Sequence, residues 1–497
     1  MQARTKVGAR VVAAVDPGML GMERLAADWG APRIKPDARS FRRALKEAAG
    51  DGPVVALVST SRPELVAVAA RAGVDRIAMY HVGKLTPTRL GAVALRAAFS
   101  WVDLTLVPDQ TSLTEVVRAG ADPHRVSKEA DLFLERLVNE PRGLGRWGAV
   151  QESAVSVALD VAELTGMVRL AEKIAPNDGI NVLSYHRILP PDELRTYGRP
   201  QMALAASLFE VQLDALSATR GFAPIASIDD RTAAGKVSIT FDDGYEDTFR
   251  VALPMLQRVS AQACIFVVTG LIGRTEALWW DRVGYSLFAF WRAGAQEAIG
   301  PDLPDLARTL PDITTFSDAR RTISEVLSIL NDVTDEARAR AVAAAEALVP
   351  ELEEKRTMLN WEEIQTMKAL GVFEIGSHTR NHICLDSVPP DVARSELIGG
   401  AEDLERHVAF APGAPRYFAL PRGQPGPFTE ADLRNHGIVS VMTSETGIHQ
   451  PGNGSLYVRR RDGYQLTLHG RHHPAKMRLE LTGILDTVRK RRGHGDY

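Results

Sequence analysis

The sequence predicts an α/β fold in two successive parts, and two observations carry that prediction. Up to about residue 147, short β-branched runs alternate with helical patterns, and after a turn-rich break at Pro176-Asn177-Asp178-Gly179 a second alternating series begins. Apolar bursts of about four to six residues separated by helices are what a parallel sheet covered on both faces requires, because neither face of such a strand meets water.

In the first part Val11–Val15, Val54–Val58, Arg76–Tyr80 and Leu104–Val107 read as strands, with Pro63–Ala72, Pro87–Ala98 and Ser112–Ala119 as helices between them. This predicts a Rossmann-like, doubly wound domain over residues 1–147. Residues 148–178 are read as a helix, Gln151–Ile174, with apolar positions Val155, Leu159, Val161, Leu164, Val168 and Leu170, followed by a linker. The second part, residues 179–485, offers the strands Ile180–Tyr185, Val237–Phe241, Ala263–Val268, Val372–Ile375, Tyr417–Ala419 and Ile438–Met442. A helix-rich insertion over about residues 279–355 interrupts it, and residues 486–497 form a basic tail. No internal repeat or low-complexity tract is present.

Composition narrows the function. With 59 Lys and Arg against 62 Asp and Glu the net charge is -3, which gives no global electrostatic case for nucleic acid or an anionic membrane. Apolar residues at 45% and charged residues at 24% are ordinary globular usage. The two cysteines, Cys264 and Cys384, are too few for a disulfide framework and sit among apolar neighbours. The run Val11–Val15 is bounded by Arg10 and Asp16 and is shorter than the about 7–15 residues of a signal-peptide core. No stretch approaches the about 18 apolar residues of a membrane span. The sequence therefore predicts a soluble cytoplasmic protein without an integral membrane segment.

Chemistry concentrates at two strand ends. Ser238-Ile239-Thr240-Phe241 runs into Asp242-Asp243-Gly244, placing two carboxylates where the C-terminal ends of parallel strands face a site, unless they are a solvated turn. Glu374-Ile375-Gly376-Ser377 runs into His378-Thr379-Arg380-Asn381-His382. On one helical turn the i,i+4 spacing would stack both imidazoles on one face, able to share a divalent metal, and one carboxylate would complete a His₂Asp site with open positions. The alternative is a pair of surface histidines.

Thr240-Phe241-Asp242-Asp243-Gly244 and His378-Thr379-Arg380-Asn381-His382 resemble the first two signature motifs of the polysaccharide deacetylase superfamily, the NodB-homology domain of carbohydrate esterase family 4. Tyr185-His186-Arg187, Phe266-Val267-Val268-Thr269-Gly270, Trp279-Trp280-Asp281-Arg282 and Leu359-Asn360-Trp361-Glu362-Glu363 are similar to its surrounding context. The resemblance implies a distorted (β/α)₇-type barrel over residues 179–485 and metal-dependent removal of an N- or O-acetyl group from a sugar. It implies Asp243, His378 and His382 as ligands of a divalent metal, zinc before other transition metals, and Asp242 as general base for the attacking water.

The third motif is altered. Tyr417-Phe418-Ala419-Leu420-Pro421-Arg422-Gly423 resembles the family's aromatic-Ala-Tyr-Pro-Tyr-Gly segment, with Leu420 and Arg422 in place of tyrosines. The backbone N–H of Arg422 would serve the oxyanion role that the resemblance implies. Arg460, within Arg459-Arg460-Arg461, matches the arginine that orients the base, unless the run is an exposed basic loop. Thr467-Leu468-His469 is a shifted counterpart of the late Leu-x-His motif and makes His469 the candidate general acid. His472 and His473 are read as surface loop residues, His186 as either pocket-facing or a satisfied core histidine, and Trp279 and Trp280 as packing anchors ahead of sugar-stacking rings.

Trp101-Val102-Asp103-Leu104-Thr105-Leu106-Val107-Pro108 and Asp122-Pro123-His124-Arg125-Val126 resemble the end of the first half of GT-B glycosyltransferases, over a few dozen residues. The nucleotide-binding half of such enzymes does not follow, and Gly18 with Gly21 are too little for a phosphate loop. The expectation is a hydrolase acting on carbon–nitrogen bonds other than peptide bonds, with an acetylated carbohydrate as substrate and an accessory first domain. Two rivals remain: a glycan-binding or regulatory protein that has lost turnover on the same fold, and a different carbon–nitrogen hydrolase such as a ureide hydrolase.

Overall fold

The computed structural model describes residues 10–14, 33–34, 37–48, 54–72, 74, 76–81, 85, 89–102, 104–107, 109–127, 146–175, 178–294, 299–313, 316–351 and 356–491. Gly18, Gly21, Pro176, Asn177 and the end of the basic tail lie outside them. The chain divides into two compact units, one of residues 1–167 with 313–319 and 468–475, the other of residues 168–312, 320–467 and 476–497.

In the first unit β1 (Arg10–Ala14), β2 (Arg33–Ile34), β3 (Val54–Ser59), β4 (Arg76–Tyr80), β5 (Leu104–Leu106) and β6 (Val126–Ser127) form one parallel sheet in the order β2-β1-β3-β4-β5-β6. Val55 to Val58 and Ile77 to Met79 are buried throughout, as expected of strands covered on both faces. The helix expected after residue 150 is two helices, Arg146–Leu164 and Met167–Ile174, broken at Gly166. Of its apolar positions Val168 is buried, whereas Val155, Val161, Leu164 and Leu170 are exposed.

One expectation fails in this unit. His472 and His473 are buried, not surface residues: His473 Nε2 lies 3.2 Å from the Ser156 carbonyl, and burial, with His473 beside it, pulls the His472 imidazole down to about 3. The double imidazole packs against the helix Arg146–Leu164, which the local sequence around residue 472 gives no means of anticipating.

The second unit closes a parallel barrel. β7 (Asn181–Tyr185) precedes a small parallel pair, β8 (Arg187–Leu189) and β9 (Ala203–Ala205); β10 (Val237–Phe241), β11 (Ala263–Val267), β12 (Phe373–Ser377), β13 (Arg416–Ala419), β14 (Ile438–Thr446) and β15 (Tyr457–Asp462) follow. The order β10-β11-β12-β13-β14-β15-β7 closes on itself, with β15 pairing β7 through Arg461 and Leu183. Alternate residues Val182, Cys264, Phe266, Tyr417, Ala419, Met442 and Val458 form one buried cluster filling the inner face. Phe418, Leu420, Val441 and Leu456 pack outward with Leu397 and Leu433 of two covering helices. Because every strand runs the same way, all seven C-terminal ends open on one rim. The insertion carries helices Trp279–Arg292, Phe316–Asn331 and Asp335–Ala347. Among the described residues, no helix is long and apolar enough to cross a membrane.

Candidate active site

Asp242 and Asp243 leave the end of β10 in opposite senses. Asp242 N–H still donates to the Tyr185 carbonyl of β7 at 2.9 Å, continuing the ladder. Asp243 then takes φ 75, a left-handed conformation that costs a non-glycine residue about 1–3 kcal/mol and is kept where surrounding structure enforces it. Its carbonyl accepts from Val268 N–H at 3.1 Å, which pins the turn to the end of β11.

The two histidines follow β12 on a loop. The helical turn predicted from their spacing is absent: Thr379 at φ 64 and His382 at φ 58 reverse the chain, and this bend brings the imidazoles together. Their ring centroids are 4.9 Å apart. The bend is held from behind by the helix Pro390–His407. Glu396 accepts from both Asn381 N–H and the Asn381 side-chain amide at 2.8 and 2.7 Å, and Asp403 accepts from Arg380 at 2.8 and 3.1 Å and from Thr269 at 3.0 Å. Gly400 lets this helix approach, since a Cβ there would lie 2.5 Å from Ser377 Oγ.

Asp243, His378 and His382 converge. Asp243 Oδ1 lies 3.5 Å from His378 Nε2 and 3.4 Å from His382 Nε2, and the three residues offer ligand atoms all within 4.8 Å of one another. Both Asp243 oxygens are buried and have no hydrogen-bond partner, a costly arrangement for a carboxylate unless a cation completes it. Burial, then the charges of Asp242 and Asp281, push its carboxyl well above the usual range. Burial, with the neighbouring His378 and His186, holds His382 well below the usual imidazole range, and burial lowers His378 as well. The Ala419 carbonyl, 2.8 Å from His378 Nδ1, can only accept, so that nitrogen carries the proton and Nε2 presents its lone pair toward Asp243. Two neutral imidazoles and an unpaired buried carboxylate fit a divalent metal.

Asp242 is not part of this donor set. Arg460 donates to it through both terminal nitrogens, at 2.7 and 2.8 Å, while Arg460 Nε donates to the Thr443 carbonyl at 3.1 Å. Burial would raise the Asp242 carboxyl, but Arg460 and the adjacent imidazoles outweigh it and hold the group well below the usual carboxylate range. The basic run is strand, not loop. Two residues beyond inward-facing Val458, Arg460 points into the barrel, whereas Arg459 is exposed beside Glu445 and Arg461 is buried outside against Glu480 and Asp486 at 2.8 and 2.6 Å.

The remaining predicted residues are placed differently. Arg422, at φ 56, follows β13, and its exposed side chain turns to Asp332 at 3.7 Å. His469 is exposed, at φ 52, in the segment grouped with the first unit. His186 is half-buried at the end of β7, and burial, offset in part by Asp242, lowers its imidazole to about 4. Among the described residues, four of the six non-glycine residues with positive φ are Asp243, His382, Arg422 and His469, which sequence reasoning had singled out as site candidates.

Sequence reasoning missed the support behind His382. Trp280 is buried with its ring edge-on to His382 at 4.9 Å. Its indole N–H donates to Tyr245 Oη at 2.9 Å, and that hydroxyl donates to Asp281 Oδ2 at 2.8 Å. Trp280 is thus a packing anchor, as expected, and also a wall of the site. Its sequence signals were the run Trp279-Trp280-Asp281-Arg282 and the adjacency of Tyr245 to Asp242-Asp243-Gly244.

Residues 229–310 and 313–441 match the family model described as polysaccharide deacetylase. No curated protein matches the chain. Among solved structures, the chain is similar to IcaB from Ammonifex degensii at 20% identity, covering 61% of this chain and 97% of that one with a TM-score of 0.37. It is similar to the deacetylase PplD of Streptococcus pyogenes at 18% identity, covering 58% and 93% with a TM-score of 0.34. The polysaccharide deacetylase BC0361 from Bacillus cereus is 15% identical, covering 61% and 69% with a TM-score of 0.37. The residues that match the polysaccharide deacetylase model include strands β10 to β13 and the side chains Asp242, Asp243, His378 and His382.

Proposed function

We propose that the second unit removes an acetyl group from an N-acetylated sugar or glycan and that it does so with a divalent metal, zinc in the first instance, held by Asp243, His378 and His382. The observation that carries this reading is the Asp243 carboxylate, buried with both oxygens unpaired between two imidazole nitrogens. When bound, the cation supplies Lewis acidity that polarises the acetyl carbonyl and acidifies the attacking water.

The protein's own groups do the rest. Asp242 is ionised at neutral pH, and Arg460 occupies only part of its lone-pair capacity, so it takes the proton of the water. The same clamp fixes the carboxylate plane and keeps Asp242 out of the donor set around Asp243. The His378 tautomer is set by Ala419, and His382 is steadied by Trp280. The N–H of Arg422 is assigned to the developing oxyanion from the sequence resemblance. An acetate-release assay on a panel of acetylated sugars, before and after chelation and with zinc returned, tests the proposal. Acetate released only with metal supports it, and turnover of a ureide with none from any acetylated sugar would favour the other hydrolase.

A further inference from the structure

Arg199 lies on the loop between β8 and β9, and that loop is anchored on both sides of it. Tyr197 is buried, with the Arg187 guanidinium 4.9 Å from its ring centre, and Arg187 is itself tied to Asp247 at 2.9 Å and to Tyr285 Oη at 2.6 Å. Gly198 packs against the insertion helix Phe316–Asn331 so closely that a Cβ there would lie 3.1 Å from Leu327 Cδ1 and 3.2 Å from Ile323 Cγ2. The half-buried Arg199 guanidinium is then laid over the Trp280 ring, 5.1 Å from its centre, and the far side of that contact is the Trp280–His382 pair.

Neighbouring arginines each have a carboxylate: Arg460 has Asp242, Arg187 has Asp247 and Arg380 has Asp403. Among the described residues no carboxylate, carbonyl or hydroxyl accepts a hydrogen bond from the Arg199 side chain, which is stacked on the Trp280 ring. Its charge nevertheless bears on Asp243, His382, His186 and Asp281. A cation whose charge reaches a divalent-metal centre opposes the metal, and an anion bound between them would relieve that opposition. Stacking on an indole leaves the guanidinium edge, with its fork of N–H donors, free to receive such an anion in a bidentate pair.

We propose that Arg199, stacked on Trp280, is a subsite for a carboxylate or phosphate group carried by the acetylated sugar, so that the enzyme prefers charged over neutral substrates. The proposal rests on the deacetylase reading of the site. It accounts for an arginine whose loop is fixed in place by Tyr197 and Gly198 while its donors are left unused.

The test is equilibrium binding by calorimetry to the full zinc-loaded chain, with N-acetylglucosamine 6-phosphate, N-acetylmuramic acid and neutral N-acetylglucosamine as probes, for wild type, Arg199→Ala and Arg199→Lys. The wild type is expected to bind one charged probe more tightly than the neutral one, and the phosphate and carboxylate arms show which. Arg199→Ala should weaken that probe about 10–100-fold, the scale of a lost charge-assisted pair, while moving the neutral probe less than about twofold; Arg199→Lys should recover part of the loss. No preference for either charged probe, or equal effects of Arg199→Ala on charged and neutral probes, would overturn the subsite. Acetate release from the same probes is read separately, so failure of the deacetylase reading is distinguishable from failure of the subsite.

Discussion

Replacing Arg460 by alanine removes the cation from a pair in which both side chains are almost fully buried, at 7% and 4% exposure. What remains is the Asp242 carboxylate in a barrel interior, with its strongest compensating charge gone and burial opposed only by the adjacent imidazoles. Breaking a buried ion pair from one side typically costs about 3–5 kcal/mol, because the survivor must stay charged without a partner or take up a proton. Removing both partners should cost less, so Arg460→Ala combined with Asp242→Asn is expected to be more stable than Arg460→Ala alone by about 2 kcal/mol or more. The sign with pH follows. Asp242 lies below its unfolded value in the wild type, so the pair contributes stability above the unfolded carboxylate range and loses it as pH falls through the folded value. In Arg460→Ala the carboxyl rises, and the acid limb of turnover should move to higher pH. Urea unfolding of the chelated wild type, Arg460→Ala, Asp242→Asn and the double variant, with a pH profile of acetate release, measures both effects. A destabilisation under about 1 kcal/mol with an unmoved acid limb would refute the reasoning.

Other expectations concern the metal centre. Asp242→Asn should lower turnover by about 10²–10⁴ with one metal still bound per chain, and loss of metal in parallel would make Asp242 a ligand. Asp243→Asn should abolish tight metal binding and, because a carboxyl raised on folding costs stability as pH rises, should stabilise the chelated protein more at higher pH than at lower; urea midpoints without metal across pH decide this. Metal binding at neutral pH should release protons, chiefly from Asp243, whose carboxyl is raised in the metal-free site, because His378 and His382 are lowered and bring none; calorimetry in buffers of different ionisation enthalpy should show it. Gly400→Ala should cost about 1–3 kcal/mol and weaken metal binding by displacing the loop at Ser377 and Thr379, read by melting and zinc titration.

The barrel was legible in the sequence because its strands are buried on both faces and so read as unbroken apolar runs. Val237–Phe241 and Ala263–Val267 show it directly. The seventh strand, Tyr457–Asp462, was hidden by Arg459, Arg460 and Arg461, three like charges that a strand separates to two faces and that three different carboxylate environments then neutralise. β8 and β9 have only three residues each and leave no periodicity to read. At the site the ligand types were legible, whereas the way they meet was not. His378 and His382 converge through two left-handed residues, which their sequence as non-glycines argues against, and the enforcing contacts come from Glu396 and Asp403, at least 14 residues further along the chain. The burial of His472 and His473 and the stacking of Arg199 on Trp280 are likewise products of long-range packing, invisible to any local pattern.

The most direct test of the central claim is acetate release by the chelated full chain as zinc is returned in measured fractions of an equivalent. The account predicts no release without metal, a linear rise to a plateau at one zinc per chain, and neither binding nor release in His378→Ala. Full turnover in the metal-free chain, or a tightly bound stoichiometric metal surviving in His378→Ala, would contradict it.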